Sequence, residues 1–389
     1  MKKLLKRTWA EIDLDCLGHN VEYLRRGLPA GTRFLGVVKA DAYGHGAVPV
    51  ARELQRLGAE YLAVSNLEEA AQLRQGDVTL PILILGCTPP EFAPEEAELG
   101  VTQEVHSLAY GRALSEQLPP GATLKVHIKL DTGMSRLGFF AYDRVETPGE
   151  IAELAALPNL HVEGAFMHFA VSDTPEEDAY TKLQHDRFMK VLADAAALGI
   201  EPKIVHCANS GAVIAYPEFA HDMVRPGIAT YGLSPSLELR GQADLRPMMS
   251  LKTTIAAIRP FPAGITVSYG RTYRTPGPRR IAVCPVGYAD GLPRRLSGQV
   301  EFLLRGKRVP QAGRICMDMC MVDITDIPEA KEGDTVTLVG SDGDQMITWD
   351  DWADQLGTIS YELVCGISKR VPRVYIKNKA PVDTLQYIV

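Results

Sequence analysis

The sequence predicts an α/β barrel of the (β/α)8, TIM-like class, followed by a mainly β C-terminal domain. Two observations predict the barrel. From residue 15 to about 230, short β-branched runs alternate with longer segments of helical period. Eight such runs can be counted, and parallel strands joined by crossover helices close into a barrel at that number. A doubly wound open sheet is the competing architecture. The third observation is a change of pattern after about residue 240, where short strand-like runs are broken by Gly and Pro.

Taken in order, "TWAEIDLD" alternates like a strand, and residues 7–14 are expected to pair with the C-terminal domain. The barrel strands are expected at 34–39, 61–64, 82–85, 102–105, 124–130, 162–169, 203–207 and 223–226. Between them, "HGAVPVARELQRLG" places Ala47, Val50, Ala51, Leu54 and Leu57 on one helical face. "NLEEAAQLRQG" opens on Asn66, a good N-cap, and stops at Gly76. These readings give a barrel domain over 1–240 and a β domain over 241–389.

Composition narrows the function. With 46% hydrophobic and 23% charged residues, the 389-residue chain is an ordinary globular protein. A net charge of -7 without a basic stripe argues against nucleic acid as a partner. The opening "MKKLLKRTWAEIDLD" lacks the apolar core of a signal peptide, and no apolar run is long enough to span a bilayer. No membrane association and a cytoplasmic location are therefore expected. Seven cysteines, none in a Cys-x-x-Cys pair, give neither a disulfide framework nor a zinc site, and no metal is expected. Cys316 and Cys320 are read as packing residues rather than a redox pair.

Chemistry collects at the strand ends, where barrel active sites lie. The first expected strand ends on Lys39, and the fifth carries Lys129 and then "LDTGMSRLG" with Arg136. The sixth ends in "MHFA" with His168, the seventh in "HCANSGA" with Asn209 and Ser210, and the eighth in "VRPGIATYG" with Arg225, Gly227 and Ile228. Singly, each has a bland reading: a solvated strand end, a core histidine, a turn. Together they put a lysine amine opposite a Ser/Gly-rich phosphate site, which suits pyridoxal 5'-phosphate.

The motifs "VVKADAYGHG", "KLDTGMSRLGF", "HCANSGA", "VRPGIATYG", "VSYGRTY", "VGYADGLPRRL" and "GRICMDMCMVD" resemble those of bacterial alanine racemases. The resemblance runs from about residue 8 to about 375. It implies interconversion of L-alanine and D-alanine, either supplying D-alanine for peptidoglycan or degrading it, by a homodimer with shared active sites. By that resemblance Lys39 carries pyridoxal 5'-phosphate and is one catalytic base. Tyr269, reaching in from the other subunit, is the second. Arg225 faces the pyridine nitrogen, and His168 links Tyr269 to Arg225. Tyr43, Asn209, Ser210, Gly227, Ile228 and Tyr361 bind the cofactor. Arg136 and Met317 take the substrate carboxylate, with Lys129 matching a lysine often carbamylated in the family. Tyr288, Arg294 and Asp318 line the substrate corridor, while His45 is read as structural.

These roles have a physical logic. Racemisation removes a proton from one face of the α-carbon and delivers one to the other, so two bases serve better than one. Free tyrosine and lysine ionise at about 10 and about 10.4, so both must be tuned. Guanidinium keeps its proton, so Arg225 would disfavour a protonated pyridine nitrogen and restrain side reactions such as transamination. Bulky Tyr288, Tyr361 and Met317 suit a methyl side chain. A pyridoxal-phosphate decarboxylase, a broad-specificity or serine racemase, and a non-catalytic cofactor carrier are the competing readings. Tyr269 argues against the first, pocket size against the second, and the 140-odd residues after the barrel against the third.

Overall fold

The computed structural model describes residues 7–142 and 144–388. The first six residues of the basic opening stretch lie outside the described residues. The chain divides into two compact units. One takes Gly18–Ala42 and Ala47–Arg246; the other takes the residues up to Leu17, Tyr43–Gly46 and the chain from Pro247 onward.

The first unit is a near-closed parallel barrel. Its strands are β1 (Arg33–Val37), β2 (Tyr61–Val64), β3 (Ile82–Ile84), β4 (Thr102–Val105), β5 (Leu124–Asp131), β6 (Leu160–Phe166), β7 (Ile204–His206) and β8 (Met223–Val224). They pair in sequence order, and β8 returns beside β1 with Met223 opposite Arg33. That order excludes the doubly wound sheet, whose strand order reverses at a switch point. No ladder joins β7 to β8, but three bonds bridge them. Asp222 N–H donates to the Val205 carbonyl (3.0 Å) and Arg225 N–H to that of Ala208 (2.8 Å), while Val205 N–H donates to the Asp222 carboxylate (2.8 Å).

Strand and helix identities follow from side-chain placement. β1 and β2 are buried on both faces at Phe34, Leu35, Val37, Leu62 and Val64, as parallel strands covered by helices require. The helix Ala47–Arg56 turns Val50, Ala51 and Leu54 inward. Asn66 caps Leu67–Gln75 by accepting the Glu69 N–H at 2.9 Å.

Six C-terminal strand ends differ from the sequence reading by one to three residues, and two of them bear on the site. β1 stops at Val37, and Val38 makes a last sheet bond to Ala63 (2.8 Å). Lys39 therefore stands beyond the strand, and β6 ends at Phe166, two residues short of His168. After Lys39 the chain makes a left-handed helical turn: Ala40, Asp41, Ala42 and Tyr43 have φ of 52°, 55°, 53° and 52°. L-residues pay roughly 1–2 kcal/mol each for that conformation. Bonds that hold the turn include those from Ala40 N–H to the Glu69 carboxylate (2.7 Å), from Ala42 N–H to the Val38 carbonyl (2.9 Å) and from Ala47 N–H to the Asp41 carboxylate (2.8 Å).

The second unit is built on one large sheet. The strand Thr8–Asp13 runs through its middle, antiparallel to Met249–Thr254 and parallel to Arg373–Lys377. A separate three-stranded sheet joins Ala257–Phe261, Arg279–Cys284 and Cys320–Asp323. Trp349, Trp352 and Phe302 fill the core. Arg373 is fully buried with four carbonyl partners, Gly44 among them (2.9 Å). Gly44 and Gly46 have φ of 80° and 95°, and a Cβ on either would fall about 2 Å from the Val364 carbonyl or the Tyr375 hydroxyl. His45 is buried between them, its Nδ1 2.9 Å from the Tyr43 carbonyl, a structural placement. Among the described residues no helix is long and apolar enough to cross a membrane.

Candidate active site

In the barrel unit the predicted residues gather at the C-terminal ends of the strands. Arg225 follows β8 and is buried. Its guanidinium donates to the carbonyls of Met167 (2.7 Å) and Cys207 (3.1 Å), and lies 3.4 Å from His168 Nδ1. Burial lowers its pKa, but only to about 10, so it remains a cation at neutral pH.

His168 is held well below the usual imidazole range. Burial is the leading cause, followed by the charges of Arg225, Arg136, Lys39 and Lys129. Lys129, at the end of β5, is pushed down to about 8, first by burial. Glu104 opposes that fall, while Arg136, Arg225 and Lys39 add to it. Four cations thus bear on one rim, where Glu104 lies close to Lys129. Such crowding is stable only with an anionic guest or with protons given up.

The loop that carries Arg136 is well anchored. Asp131 accepts the N–H groups of Gly133 and Ser135, each at 3.0 Å. Tyr180 donates to the Gly133 carbonyl (2.9 Å), and Gln184 donates to Thr132 (3.1 Å) and to the His168 carbonyl (3.3 Å). Both come from the helix Asp178–Ala196, which ties the β5 and β6 loops together.

Elsewhere on the same rim Asn209 caps Ser210–Ala215, its carboxamide oxygen accepting from Ala212 N–H (3.0 Å) and the Ser172 hydroxyl (2.8 Å). The Ser210 hydroxyl accepts from the N–H groups of Gly227 (2.8 Å) and Ala229 (3.2 Å). Ile228 opens a short 3-10 turn ending near Tyr231, whose hydroxyl donates to the Val37 carbonyl (2.7 Å) and so ties the last loop to the first strand. Backbone donors, a hydroxyl and surplus positive charge on one rim suit a phosphate-bearing cofactor.

The second unit holds the other predicted residues. Tyr269 is 69% exposed at the edge of a cleft lined by Val267, Ser268, Cys316, Met317 and Asp318. A tight turn presents it: Ser268, Gly270 and Arg271 all have positive φ, and the Ser268 hydroxyl donates to the Arg314 carbonyl (2.6 Å). Met317 is half exposed, and its neighbour strand-end brings Tyr288 beside it through Tyr288 N–H to the Cys316 carbonyl (3.1 Å). A side chain at Gly287 would strike the carbonyls of Cys316 and Met317 at 2.3 Å. Asp318 pairs with Arg370 (2.8 Å), and Arg294 is exposed on a short turn. Tyr43 and Tyr361 lie with ring centroids 6.1 Å apart, and burial raises the Tyr43 phenol.

Sequence reasoning missed a buried polar chain beneath Arg225 that contains His206, His127 and Glu163. The alternation in "KVHIKLD" puts His127 on the same strand face as Lys129. Nothing in the sequence says that His127 meets a histidine 79 positions away.

Comparison with known proteins matches both units. A family model described as alanine racemase, N-terminal domain, matches residues 12–235, and one described as the C-terminal domain matches residues 248–375. An alanine racemase of Desulfovibrio desulfuricans is 47% identical over 95% of this chain and 98% of its own. A solved alanine racemase of Clostridium difficile superposes with a TM-score of 0.95 at 39% identity over the whole of both chains. A histidine racemase of Leuconostoc mesenteroides, 30% identical, superposes with a TM-score of 0.89 over 96% of this chain and 99% of its own.

Proposed function

The chain belongs to the alanine racemase family, and on that premise we propose that it interconverts L-alanine and D-alanine with pyridoxal 5'-phosphate as cofactor. The observation that carries the proposal is the rim where the charges of Lys39, Lys129, Arg136 and Arg225 all bear on the buried His168, with Glu104 beside Lys129. When bound, pyridoxal 5'-phosphate draws electrons from the α-carbon of an amino acid and so acidifies its proton.

The chain's own residues divide the remaining work. Lys39 is the attachment point and the base for one face. Ser210 and the Gly227–Ile228 backbone, with Asn209 holding the loop, take the phosphate, to which we also assign Tyr43 and Tyr361. Arg225 presents a permanent cation to the pyridine nitrogen and so keeps a proton off it. Arg136, oriented by Lys129, and Met317 take the substrate carboxylate. Tyr269 of the partner subunit is the base for the other face.

His168 links the two bases' surroundings through its tautomer. Arg225 has only donors, so the His168 Nδ1 at 3.4 Å must accept. A neutral His168 then carries its proton on Nε2 and offers it to the oxygen of Tyr269 of the partner subunit, easing loss of the phenolic proton. The proposal therefore includes a homodimer with shared sites.

Family membership alone does not select the side chain, since the family's fold also serves a histidine racemase. Alanine is favoured by the higher identity to an alanine racemase and by bulky Tyr288, Tyr361 and Met317, assigned with Arg294 and Asp318 to the substrate corridor. Purified protein with cofactor, incubated with L-alanine in deuterated water, should yield D-alanine deuterated at the α-carbon. Borohydride trapping should label Lys39. Equal rates on histidine or lysine, or a label on another lysine, would count against this reading.

A further inference from the structure

Below the rim the barrel buries a polar chain that the assignments above leave unused. Arg225 is 4% exposed and forms no ion pair with a carboxylate among the described residues. Its Nη1 lies instead 2.9 Å from His206 Nδ1. His206 Nε2 lies 2.8 Å from His127 Nδ1, and both rings are fully buried. His127 Nε2 lies 3.5 Å from Glu163 Oε2. Glu163 also accepts from the Tyr61 hydroxyl and, at 3.0 Å, from Lys125.

The proton positions follow from one fact. A guanidinium can only donate, so His206 Nδ1 must accept. Neutral His206 then carries its proton on Nε2 and donates it to His127 Nδ1. His127 in turn carries its proton on Nε2, facing the Glu163 carboxylate. Every donor points the same way, from Arg225 to Glu163. Both imidazoles are held below the usual range, chiefly by burial, which keeps them neutral. Burial works against the charge of Glu163, but the His127 imidazole facing it at ion-pair distance (3.5 Å, without a closed hydrogen bond) and the bonds from Tyr61 and Lys125 outweigh it and hold the carboxyl below the usual range.

The fold makes room for this chain. The β5–β6 ladder steps out of register between Val126 and His127. Gly164, on β6, has no Cβ where one would sit 2.6 Å from His127 Cε1 and 2.7 Å from the Ile204 carbonyl. Phe166 stacks on His206 with centroids 5.0 Å apart and the planes 9° from parallel. A strand irregularity and a glycine therefore coincide where the imidazole crosses.

We propose that Glu163 is the counter-charge of Arg225, acting through His127 and His206, and that this relay is a positioning device fixing how the guanidinium presents itself at the barrel rim. The inference rests on the assignment of Arg225 to the cofactor's pyridine nitrogen. With the carboxylate gone, His127 has no anion to fix its proton on Nε2. Either ring can then flip its tautomer, and a proton on His206 Nδ1 would face the guanidinium and push it aside.

The test is Glu163→Gln in the full-length holoenzyme, read by nitrogen-15 NMR of labelled histidine rings, by the visible absorbance of bound cofactor and by steady-state kinetics. In the wild type both rings should show the Nε2–H tautomer. In the variant His206 should populate the Nδ1–H form, the absorbance maximum should move, and kcat should fall roughly 10- to 100-fold with KM little changed. Glu163→Asp, whose shorter arm withdraws the carboxylate, should act in the same direction and serves if the glutamine variant does not fold. Lys125→Ala removes a half-exposed ligand of the other carboxylate oxygen but leaves the carboxylate and Tyr61 in place, and should shift tautomers and spectrum far less than Glu163→Gln. A wild-type ring in the Nδ1–H form overturns the relay, as do unchanged tautomers, spectrum and kcat in Glu163→Gln. A Lys125→Ala effect as large as that of Glu163→Gln overturns it too. A wild type that fails to racemise alanine sinks the functional reading and leaves the tautomer result standing.

Discussion

Glu96 gives the sharpest quantitative expectation. It lies on the helix Ala93–Glu98, fully buried, and neither carboxyl oxygen meets a hydrogen-bond partner among the described residues. Burial pushes its pKa from 4.5 up to about 7, with the charges of Glu104 and Glu95 adding to the rise and the nearby Thr88 hydroxyl opposing it. The sign follows from proton counting. Between pH 4.5 and 7 the folded chain holds a proton at Glu96 that the unfolded chain has released, so stability falls as pH rises through that window and levels off above it. Two and a half pH units at about 1.4 kcal/mol each give a total of about 3.5 kcal/mol. About 2.5 kcal/mol of that falls between pH 5 and pH 8. Glu96→Gln cannot ionise and should escape the loss. For a unit of about 200 residues, 2.5 kcal/mol corresponds to about 5 °C in Tm. Tm of both proteins should be measured by calorimetry at pH 5 and pH 8. The variant should gain about 5 °C on the wild type between the two. An offset that does not change with pH would show that Glu96 is not a strained buried acid.

Three further outcomes concern the proposed site. Equal mixing and exchange of Lys39→Ala and Tyr269→Ala proteins, each inactive alone, should restore about one quarter of wild-type activity, because half the dimers are hybrids and one site in each is intact; no rescue after demonstrated exchange refutes the shared site. Arg225→Glu should raise pyruvate formation relative to racemisation, since a carboxylate permits the pyridine nitrogen its proton; unchanged partitioning and spectra would speak against that role. Gly138 has φ 140°, and a Cβ there would fall 2.4 Å from the Asp131 nitrogen; Gly138→Ala should cost about 2–3 kcal/mol in denaturant unfolding and loosen Arg136, raising KM for alanine, whereas a neutral result would refute the tightness of that loop.

Much of the barrel was legible because its determinants are local. Buried parallel strands are continuous apolar runs, and Phe34–Val38 or Ile82–Leu85 can be recognised without knowing their neighbours. Asn66 announces its helix through its own side chain. The rim residues were legible because each follows such a run. The left-handed turn at Ala40–Tyr43 was not, since Ala, Asp and Tyr carry no glycine-like signal and a right-handed turn is their default. The bond from Ala40 N–H to the Glu69 carboxylate, 29 positions away, helps hold it (2.7 Å). The relay was illegible for another reason: His127, Glu163, His206 and Arg225 come from four separate segments, and only the barrel's stagger aligns their rings.

The relay also bears on why Arg225 has no direct carboxylate partner. An acid at about 4 Å would attract the guanidinium by about 4 kcal/mol at an effective dielectric of 20, and moving it two or three times farther cuts that to about 1–2 kcal/mol. A direct partner would thus stabilise the buried cation more. It would also cancel the positive field at the rim, where the proposed cofactor and substrate carboxylate would be held. Interposing His206 and His127 satisfies the guanidinium's hydrogen-bonding demand on its buried side with neutral acceptors. The negative charge is then parked at Glu163, where Tyr61 and Lys125 share it. Burial lowers the Arg225 pKa only to about 10, so the guanidinium keeps its proton without an anion beside it. A Glu163→Gln protein should for that reason keep Arg225 charged while losing its orientation, so its defect should lie in kcat and in the cofactor spectrum rather than in cofactor affinity.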